Sequence, residues 1–187
     1  MIRETMLNKD VMEEEMMLNR QEIEKLIKEK GLITDYCNLD IQLTPNGFDL
    51  TAGGVFEFID SGALDFSNKE RAIPQTKEVL PKKKNPKDKF GWWQLRKGAY
   101  KIRANETFNL PNDLVVIASP RSSLLRMGVF TQTAVWDAGF KGRSEFILIV
   151  NNPKGLELKQ NARLVQTIFM SINKTSLGYR GIYQMKT

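Results

Sequence analysis

Hydrophobic and polar positions repeat with a helical period near the start of the chain and with an alternating period after Gly31. In the segment "LNRQEIEKLIKEKG", Asn19 and Glu22 have the spacing of a capping box. Ile23 and Ile27 then share one helical face, and Gly31 is a typical residue at which a helix ends. The pattern therefore predicts a helix that begins after Asn19.

The alternating period after Gly31 predicts a mainly β domain. Short strand-like runs follow one another with no helical pattern between them, which favours an antiparallel sandwich or barrel. A shorter helical segment from Asn8 to about Met17 precedes the first predicted helix, so one or two helices form an N-terminal addition. The runs are "GVFEFID", "GAYKIRA", "LVVIAS", "GVFTQTAVW", "EFILIVNN" and "ARLVQTIFMSI".

Composition is consistent with one globular domain. The chain has 187 residues, of which 41% are hydrophobic and 27% charged. We expect a helical segment over residues 1–31, a β domain over 32–172 and a C-terminal arm over 173–187. No stretch approaches the roughly 18 apolar residues of a membrane span, and the N-terminus is too acidic for a signal peptide, so we expect a cytoplasmic protein.

The chain contains no histidine and a single cysteine, Cys37. These residues cannot build the usual Cys/His zinc site, which excludes the zinc-dependent nucleobase deaminases. Histidine is the side chain most often used for proton transfer near neutral pH. A catalytic base in this protein is therefore expected to be a carboxylate.

The formal net charge of +6 favours an anionic partner. The densest basic run is "PKKKNPKDK", in which Lys82–Lys89 follows Pro81 without any apolar residue. We interpret this run as a solvated loop in preference to a nucleic-acid contact, because runs of charge are more often exposed faces than binding sites.

Four polar segments interrupt the strand pattern, and on residue types alone we interpret each as structural in preference to functional. Asp49 in "NGFDLTAGG" is compatible with a turn or bulge. In "NARLVQTIF", Arg163 and Gln166 interrupt a strand, and a half-buried glutamine amide must bond either backbone or a ligand. In "TAVWDAGFKGRSE", Asp137 follows an apolar run and is either a turn-former or an acid–base group.

The remaining segment is "SPRSSLLRMG", which offers cationic and hydroxyl donors together. Arg121 with Ser122 and Ser123 can bind an oxyanion, and Arg126 can add a second positive charge. The alternative is a helix that begins after Pro120, with the serines as caps and the arginines in solvent.

Taken together, "GFDLTA", "PRSSLLRMG", "AVWDAGFKG" and "ARLVQ" resemble the ordered motifs of the dUTPase and dCTP deaminase superfamily, and are most similar to its compact archaeal-type dUTPases. The resemblance extends from about Leu18 to Gln184. It implies a jelly-roll-like β fold, a homotrimer with sites between subunits, dUTP as substrate, and magnesium bound through phosphates and water. No membrane or nucleic-acid partner is implied.

The resemblance also assigns roles to individual residues. Asp137 would activate the water that attacks the α-phosphorus, and Asp49 would support the site near the metal. The substrate would be held by a further set, in which the arginines and serines contact phosphates: Arg121, Ser122, Ser123, Arg126, Gln166 and, from the short C-terminal arm, Tyr183.

Two alternatives to a dUTP diphosphatase follow from the same segments. Deaminases of the superfamily use a glutamate whose position, ten residues after Asp137, is occupied here by Ile147. Glu145 lies two positions earlier and would keep the same strand face, so a dCTP deaminase or a bifunctional enzyme remains open. The basic charge leaves a third hypothesis, a non-catalytic nucleotide or nucleic-acid binding module.

Overall fold

The alternating segments form an antiparallel β structure in the computed structural model, which describes residues 17–185. Its helices are α1 (Arg20–Lys30), α2 (Leu39–Gln42) and α3 (Ser122–Arg126). Its strands are β1 (Ile33–Thr34), β2 (Leu43–Thr44), β3 (Gly47–Phe58), β4 (Thr76–Glu78), β5 (Trp92–Leu95), β6 (Gly98–Asn109), β7 (Leu114–Pro120), β8 (Val129–Gln132), β9 (Lys141–Val150), β10 (Leu156–Lys159) and β11 (Arg163–Ser171).

One large sheet carries the long strands in the order β7-β11-β3-β6-β9-β8, and every pairing in it is antiparallel. Val116 of β7 pairs with Trp136, which follows β8, so the two ends of the sheet approach each other. The result is a nearly closed sheet with an enclosed core. The predicted fold class, mainly β and antiparallel with an N-terminal helix, is confirmed.

The core follows from alternation along the strands. In β6 the inward positions include Tyr100, Ile102 and Phe108, all buried, while the residues between them are half-buried or exposed. Phe108 makes edge-to-face contacts with Trp136 and Phe169, so one aromatic cluster joins β6, β11 and the segment after β8.

The predicted helix α1 is confirmed together with its caps. The Asn19 side chain accepts from the backbone N–H of Glu22, the Glu22 carboxylate accepts from the N–H of Asn19, and Gly31 ends the helix in the left-handed conformation. Ile23 and Ile27 are its buried residues. The other predicted helical segment falls almost wholly within residues 1–16, which lie outside the described residues.

The predicted strand "GVFTQTAVW" is wrong beyond Gln132, where β8 ends. Residues 133–135 are irregular, and Ala134 and Val135 are exposed, because Trp136 leaves the β8–β9 pairing to bond Val116. The structure also contains the short helix α2, which no pattern predicted, and α3, which matches the alternative of a helix after Pro120. Within residues 17–185, no helix combines the length and the apolar character needed to cross a membrane.

Strands β5 and β10 form a separate two-stranded sheet. The basic run before β5 is an irregular loop with exposed lysines, as predicted, anchored by a bridge between Lys82 and Trp92.

Candidate active site

A buried carboxylate with two arginines lies where β3, β7 and β11 meet. Asp49 is 1% exposed, and its Oδ2 accepts from Arg121 Nε at 3.0 Å and from Arg163 Nη1 at 3.2 Å. The turn interpretation of Asp49 is wrong, because this residue pairs regularly with Gln166 inside the sheet. A register shift does occur nearby, between Ala52 and Gly54.

Opposing effects act on the Asp49 carboxyl. Burial raises its pKa, and the guanidinium groups of Arg121 and Arg163 lower it, with burial the larger effect. Its Oδ1 is buried and has no hydrogen-bond partner among the described residues. The two arginine side chains are each about one third exposed, at 32% and 33%, so an anion can reach them. Arg163 Nη1 also donates to the Ile41 carbonyl at 2.8 Å.

The sequence "PRSSLLR" forms the turn from β7 into α3. Arg121 occupies the N-cap position without a side-chain capping bond, and its backbone N–H donates to Leu164 of β11 at 2.9 Å. Ser122 and Ser123 are exposed in the first turn, so the helix interpretation is correct but the serines do not act as caps. Arg126 donates to the Ser122 carbonyl at 3.0 Å and lies back on its own helix.

Gln166 belongs to the same cluster. Its Cα is in register with Asp49 on one side and with Ser119 on the other, so the Gln166 and Asp49 side chains project from neighbouring positions of one sheet face. Its amide Nε2 donates to Thr44 Oγ1 at 2.9 Å. The amide therefore already has one protein partner.

A network of buried hydrogen bonds, which the sequence motifs do not indicate, holds the backbone at Asp49. Gln42 Nε2 donates to the Asp49 carbonyl at 2.8 Å and to Glu106 Oε1 at 2.7 Å. Glu106 also accepts from the backbone N–H of Thr51 at 2.9 Å and from the Thr51 hydroxyl at 2.6 Å. Burial raises the pKa of Glu106 more than these hydrogen bonds lower it. One feature of the sequence could have indicated this network: Glu106 occupies an inward position of the alternating strand β6, where a charged residue needs buried partners.

The other predicted site residues line a separate cleft of about 770 Å³. Asp137, Glu145 and Tyr183 all border it, together with apolar side chains from the segment after β3 and three cations from β6 and β9, Lys101, Arg103 and Arg143. We call it the Asp137 cleft. Asp137 itself is exposed, whereas Trp136 before it is buried.

Asp137 also begins a tight turn, so the turn interpretation of this residue is correct. The Asp137 carbonyl accepts from the N–H of Phe140 at 3.0 Å, and Gly139 has φ +80°. The C-terminal segment packs on this turn, where the Tyr179 N–H donates to the Ala138 carbonyl at 2.8 Å. A side chain at position 139 would lie 2.8 Å from the Cα of Gly178. Close packing therefore fixes the backbone that presents Asp137.

Glu145 faces the Asp137 cleft. Side chains alternate along β9, and both Glu145 and Ile147 line the cleft, which confirms that a shift of two positions preserves the face. The irregular pairing opposite Glu145 lies in β6, between Arg103 and Thr107. The Glu145 carboxylate pairs with Lys101 Nζ at 3.1 Å.

The structure thus separates the predicted residues into two groups within one chain. Trp136, next to Asp137, pairs with Val116 of β7. Arg121 follows Val116 by five residues and lies just beyond the end of β7, a separation of about 17 Å for an extended chain. Asp49, Arg121 and Gln166 do not border the Asp137 cleft. Within residues 17–185 there is also no group of three or more Cys, Asp and Glu side chains able to hold a metal ion.

Comparisons with known proteins identify relatives over most of the chain. A family described as "dCTP deaminase-like" matches residues 17–172. The Archaeoglobus fulgidus protein named "Probable deoxyuridine 5'-triphosphate nucleotidohydrolase" is 42% identical over 90% of this chain and 95% of its own length. A Methanosarcina mazei protein of the same name is 42% identical over 90% of this chain and 96% of its own.

A third relative and one solved structure complete the comparison. The Methanocaldococcus jannaschii "Deoxyuridine 5'-triphosphate nucleotidohydrolase" is 33% identical over 76% of this chain and 87% of its own. The crystal structure of 2'-deoxycytidine 5'-triphosphate deaminase from Agrobacterium tumefaciens superposes with a TM-score of 0.60 at 19% identity. The superposition covers 83% of this chain and about half (48%) of the deaminase chain. It supports the fold.

Proposed function

Because the chain belongs to the dCTP deaminase-like family, we propose that it is a hydrolase that converts dUTP to dUMP and diphosphate. The observation that carries this proposal is the pair of arginines held by buried Asp49, whose outer edges offer a preformed site for phosphate oxygens. The names of archaeal relatives with 33–42% identity supply the nucleotide and the reaction.

In the proposed complex the phosphates bind at the Asp49 cluster. Arg121 and Arg163 donate through their exposed edges, and the hydroxyls of Ser122 and Ser123 lie in the adjacent turn of α3. Arg126 adds positive charge on the same turn. Gln166 contacts the nucleotide with the part of its amide that Thr44 leaves open.

Asp137 acts as the base in this proposal. An exposed carboxylate fixed by a tight turn can accept a proton from a water that attacks the α-phosphorus, and diphosphate then leaves with the bridging oxygen. The arginines stabilise the charge that develops on the phosphate oxygens. Tyr183, at the rim of the Asp137 cleft, would contact the nucleotide beside Asp137 instead of the phosphates.

Magnesium fits this site as an ion carried by the substrate. Asp49 already interacts with two guanidinium groups, which makes direct metal binding at its carboxylate unfavourable, and phosphate oxygens are common ligands of this ion. Bound in that way, magnesium would neutralise phosphate charge and orient the triphosphate. The residues that would hold the phosphate oxygens, and with them the ion, are Arg121 and Arg163, which Asp49 keeps in position.

The separation of the two groups supports a homotrimer with shared sites. Asp137 of one copy would meet the Asp49 cluster of another, since the two lie far apart along β7 within a chain. An exposed apolar strip beside Asp137 supports such contacts: Ile117, Phe130 and Val135 are 39%, 41% and 55% exposed. Tyr183 would belong to the Asp137 half of each site.

One observation favours a second activity, deamination of dCTP. Glu145 lines the same cleft as Asp137 and projects from the strand face on which the deaminase glutamate is expected. Its ion pair with Lys101 opposes this activity, because the ammonium occupies a carboxylate oxygen that would otherwise contact the substrate. Ammonia release from dCTP that disappears in E145Q would establish the second activity.

The decisive experiment incubates the protein with magnesium and, separately, dUTP, dCTP, dTTP and UTP, with products separated by chromatography. We expect dUMP and diphosphate from dUTP, and little turnover of the other three. Chelation of magnesium should reduce the rate. Tight binding of dUTP without any dUMP would overturn the proposal in favour of a non-catalytic nucleotide-binding module.

A further inference from the structure

The positive charge of the chain is concentrated in one small part of the fold. The sheet of β5 and β10 with its flanking loops, residues 81–97 and 153–160, contains nine lysines and arginines and two acidic residues, a formal charge of +7 against +6 for the whole chain. All nine cationic side chains are exposed. We call this surface the basic sheet; its cations are Lys82, Lys83, Lys84, Lys87, Lys89, Arg96, Lys97, Lys154 and Lys159.

Folding brings together charges that are distant in the sequence. β10 pairs antiparallel with β5, which places Lys159 opposite Trp92 and the 153–155 turn beside Arg96. In the sequence, the Lys82–Lys89 run stands apart from the other cations and is therefore typical of a solvated loop. The pairing of β5 with β10 adds four cations outside that loop.

Trp92 organises part of this surface. Lys84 Nζ lies 4.3 Å and Lys159 Nζ 5.3 Å from the centre of the Trp92 ring, and Lys84 also pairs with Glu157. Two lysines from different segments are thus held over one ring. The cations form an ordered surface instead of a set of independent side chains.

The basic sheet lacks the features of a protein or lipid contact. Of its large apolar side chains, Trp93, Leu95, Leu156 and Leu158 are buried against the body of the protein, and Phe90 and Trp92 are half-buried with lysines over their rings. Both segments lie in the described part of the chain, and neither contributes an exposed large apolar side chain. Protein interfaces normally have an apolar centre, and membrane-bound surfaces normally insert apolar groups.

We propose that the basic sheet is a sequence-independent binding surface for the phosphate backbone of nucleic acid. Closely spaced exposed lysines suit a polyanion with regular charges, since each neutralised phosphate releases condensed counterions. This function is separate from nucleotide hydrolysis and does not depend on it.

The test compares full-length wild-type protein with two triple variants of equal charge. K82Q/K83Q/K87Q removes three loop charges of the basic sheet, and K25Q/K30Q/K69Q removes three exposed lysines elsewhere. Fluorescence anisotropy with a labelled single strand and a labelled duplex gives the dissociation constant at several salt concentrations, and circular dichroism checks folding. For wild type we expect a dissociation constant of about 10⁻⁴–10⁻⁶ M with a steep salt dependence.

The loop variant should bind more weakly than both other proteins and lose about 2 to 3 units from the slope of log K against log salt. Equal weakening in the two variants would overturn the proposal, since binding would then follow overall charge. So would the absence of nucleic-acid binding, or equal competition by poly-glutamate or by phosphatidylserine vesicles. A lower kcat/KM for dUTP in the loop variant with unchanged nucleic-acid binding would assign the surface to the substrate and also overturn it.

Discussion

At the scale of residues, burial distinguishes what each carboxylate of the candidate site can do. Asp49 and Glu106 are 1% and 0% exposed and hold neighbouring groups in place, whereas Asp137 is exposed beside a cleft. A base that receives a proton from water must be reached by that water. Asp137 meets this requirement, and the buried pair does not.

Replacing Asp137 by Asn keeps the size of the side chain and removes the base. We expect D137N to lower kcat for dUTP by about 100- to 10,000-fold, the usual contribution of a general base, with KM little changed. The matched control is E145Q, in the same cleft, which should retain dUTP hydrolysis. Near wild-type turnover by D137N in steady-state assays would remove Asp137 from the proposed role.

The short motifs named residues that the structure brings together, while their roles in binding and catalysis stay predictions. Asp49 and Gln166 proved to be register partners beside Arg121. The contribution of Arg163 to Asp49 was missed because an arginine in a half-buried strand does not reveal its partner. Glu106 was missed because its partners, Gln42 and Thr51, come together only when β3 and β6 pair.

At the scale of elements, Glu106 links α2, β3 and β6 through a buried carboxyl with a raised pKa. Between the ordinary pKa of 4.5 and the raised value, the folded state holds the proton that the unfolded state has released. The contribution of Glu106 to the free energy of unfolding therefore falls as pH increases through this interval.

Glu106→Gln should remove that pH dependence. Urea unfolding of wild type and E106Q at pH values from about 4.5 to about 8 should show wild type losing stability relative to the variant as pH rises. Asp49 titrates in both proteins and cancels in the difference. Parallel curves would mean that the Glu106 carboxyl keeps an ordinary pKa in the folded protein.

Gly47 permits the close pairing of β3 with β11. A Cβ at this position would lie 2.1 Å from the Thr167 carbonyl oxygen and 3.2 Å from the Gln166 amide nitrogen. We expect G47A to lower the free energy of unfolding by about 1–3 kcal/mol through overpacking. Gly98 in β6 is the matched control, since its nearest neighbours are 3.8 Å away and G98A should change stability by less than about 0.5 kcal/mol.

Urea denaturation of the two glycine variants supplies the comparison. Equal stability of G47A and G98A would mean that the β3–β11 pairing can shift without cost. If G47A lowers the rate of dUTP hydrolysis by more than its loss of folded protein accounts for, the added methyl group has displaced the Gln166 side chain.

Long elements were predictable because their periods extend over many residues. α1 has both caps in its sequence, and β6 alternates over twelve residues. β5 and β10 have four residues each, too few for a period to be recognised. The end of β8 at Gln132 was not predictable because Trp136 takes a partner from β7, a contact distant in sequence.

At the scale of the whole molecule, the two halves of the proposed site lie apart within one chain. The proposed shared site follows from this separation, since a site built within one chain would need both groups close together. Residue patterns alone give order along the chain and not which copy supplies each residue, so a shared site was expected only from the family resemblance and stays a prediction.

Co-expression of D137N and R121Q, each inactive alone, tests the shared site. In a random trimer, a site is intact when its Asp137 comes from an R121Q copy and its Arg121 comes from a D137N copy. Each condition is met about half of the time, so about one quarter of the wild-type activity should return. Light scattering should give the mass of three chains. A mixture as inactive as its components would show that each site is built within one chain.

The packing of the C-terminal segment on the Asp137 turn has a practical consequence for handling the protein. Met185 donates through its backbone N–H to the Lys141 carbonyl at 2.7 Å and lines the Asp137 cleft, two residues before the last residue of the chain. An affinity tag fused after Thr187 would begin two residues beyond Met185, and we expect it to crowd the Asp137 cleft. Purification tags for every experiment above belong at the other terminus.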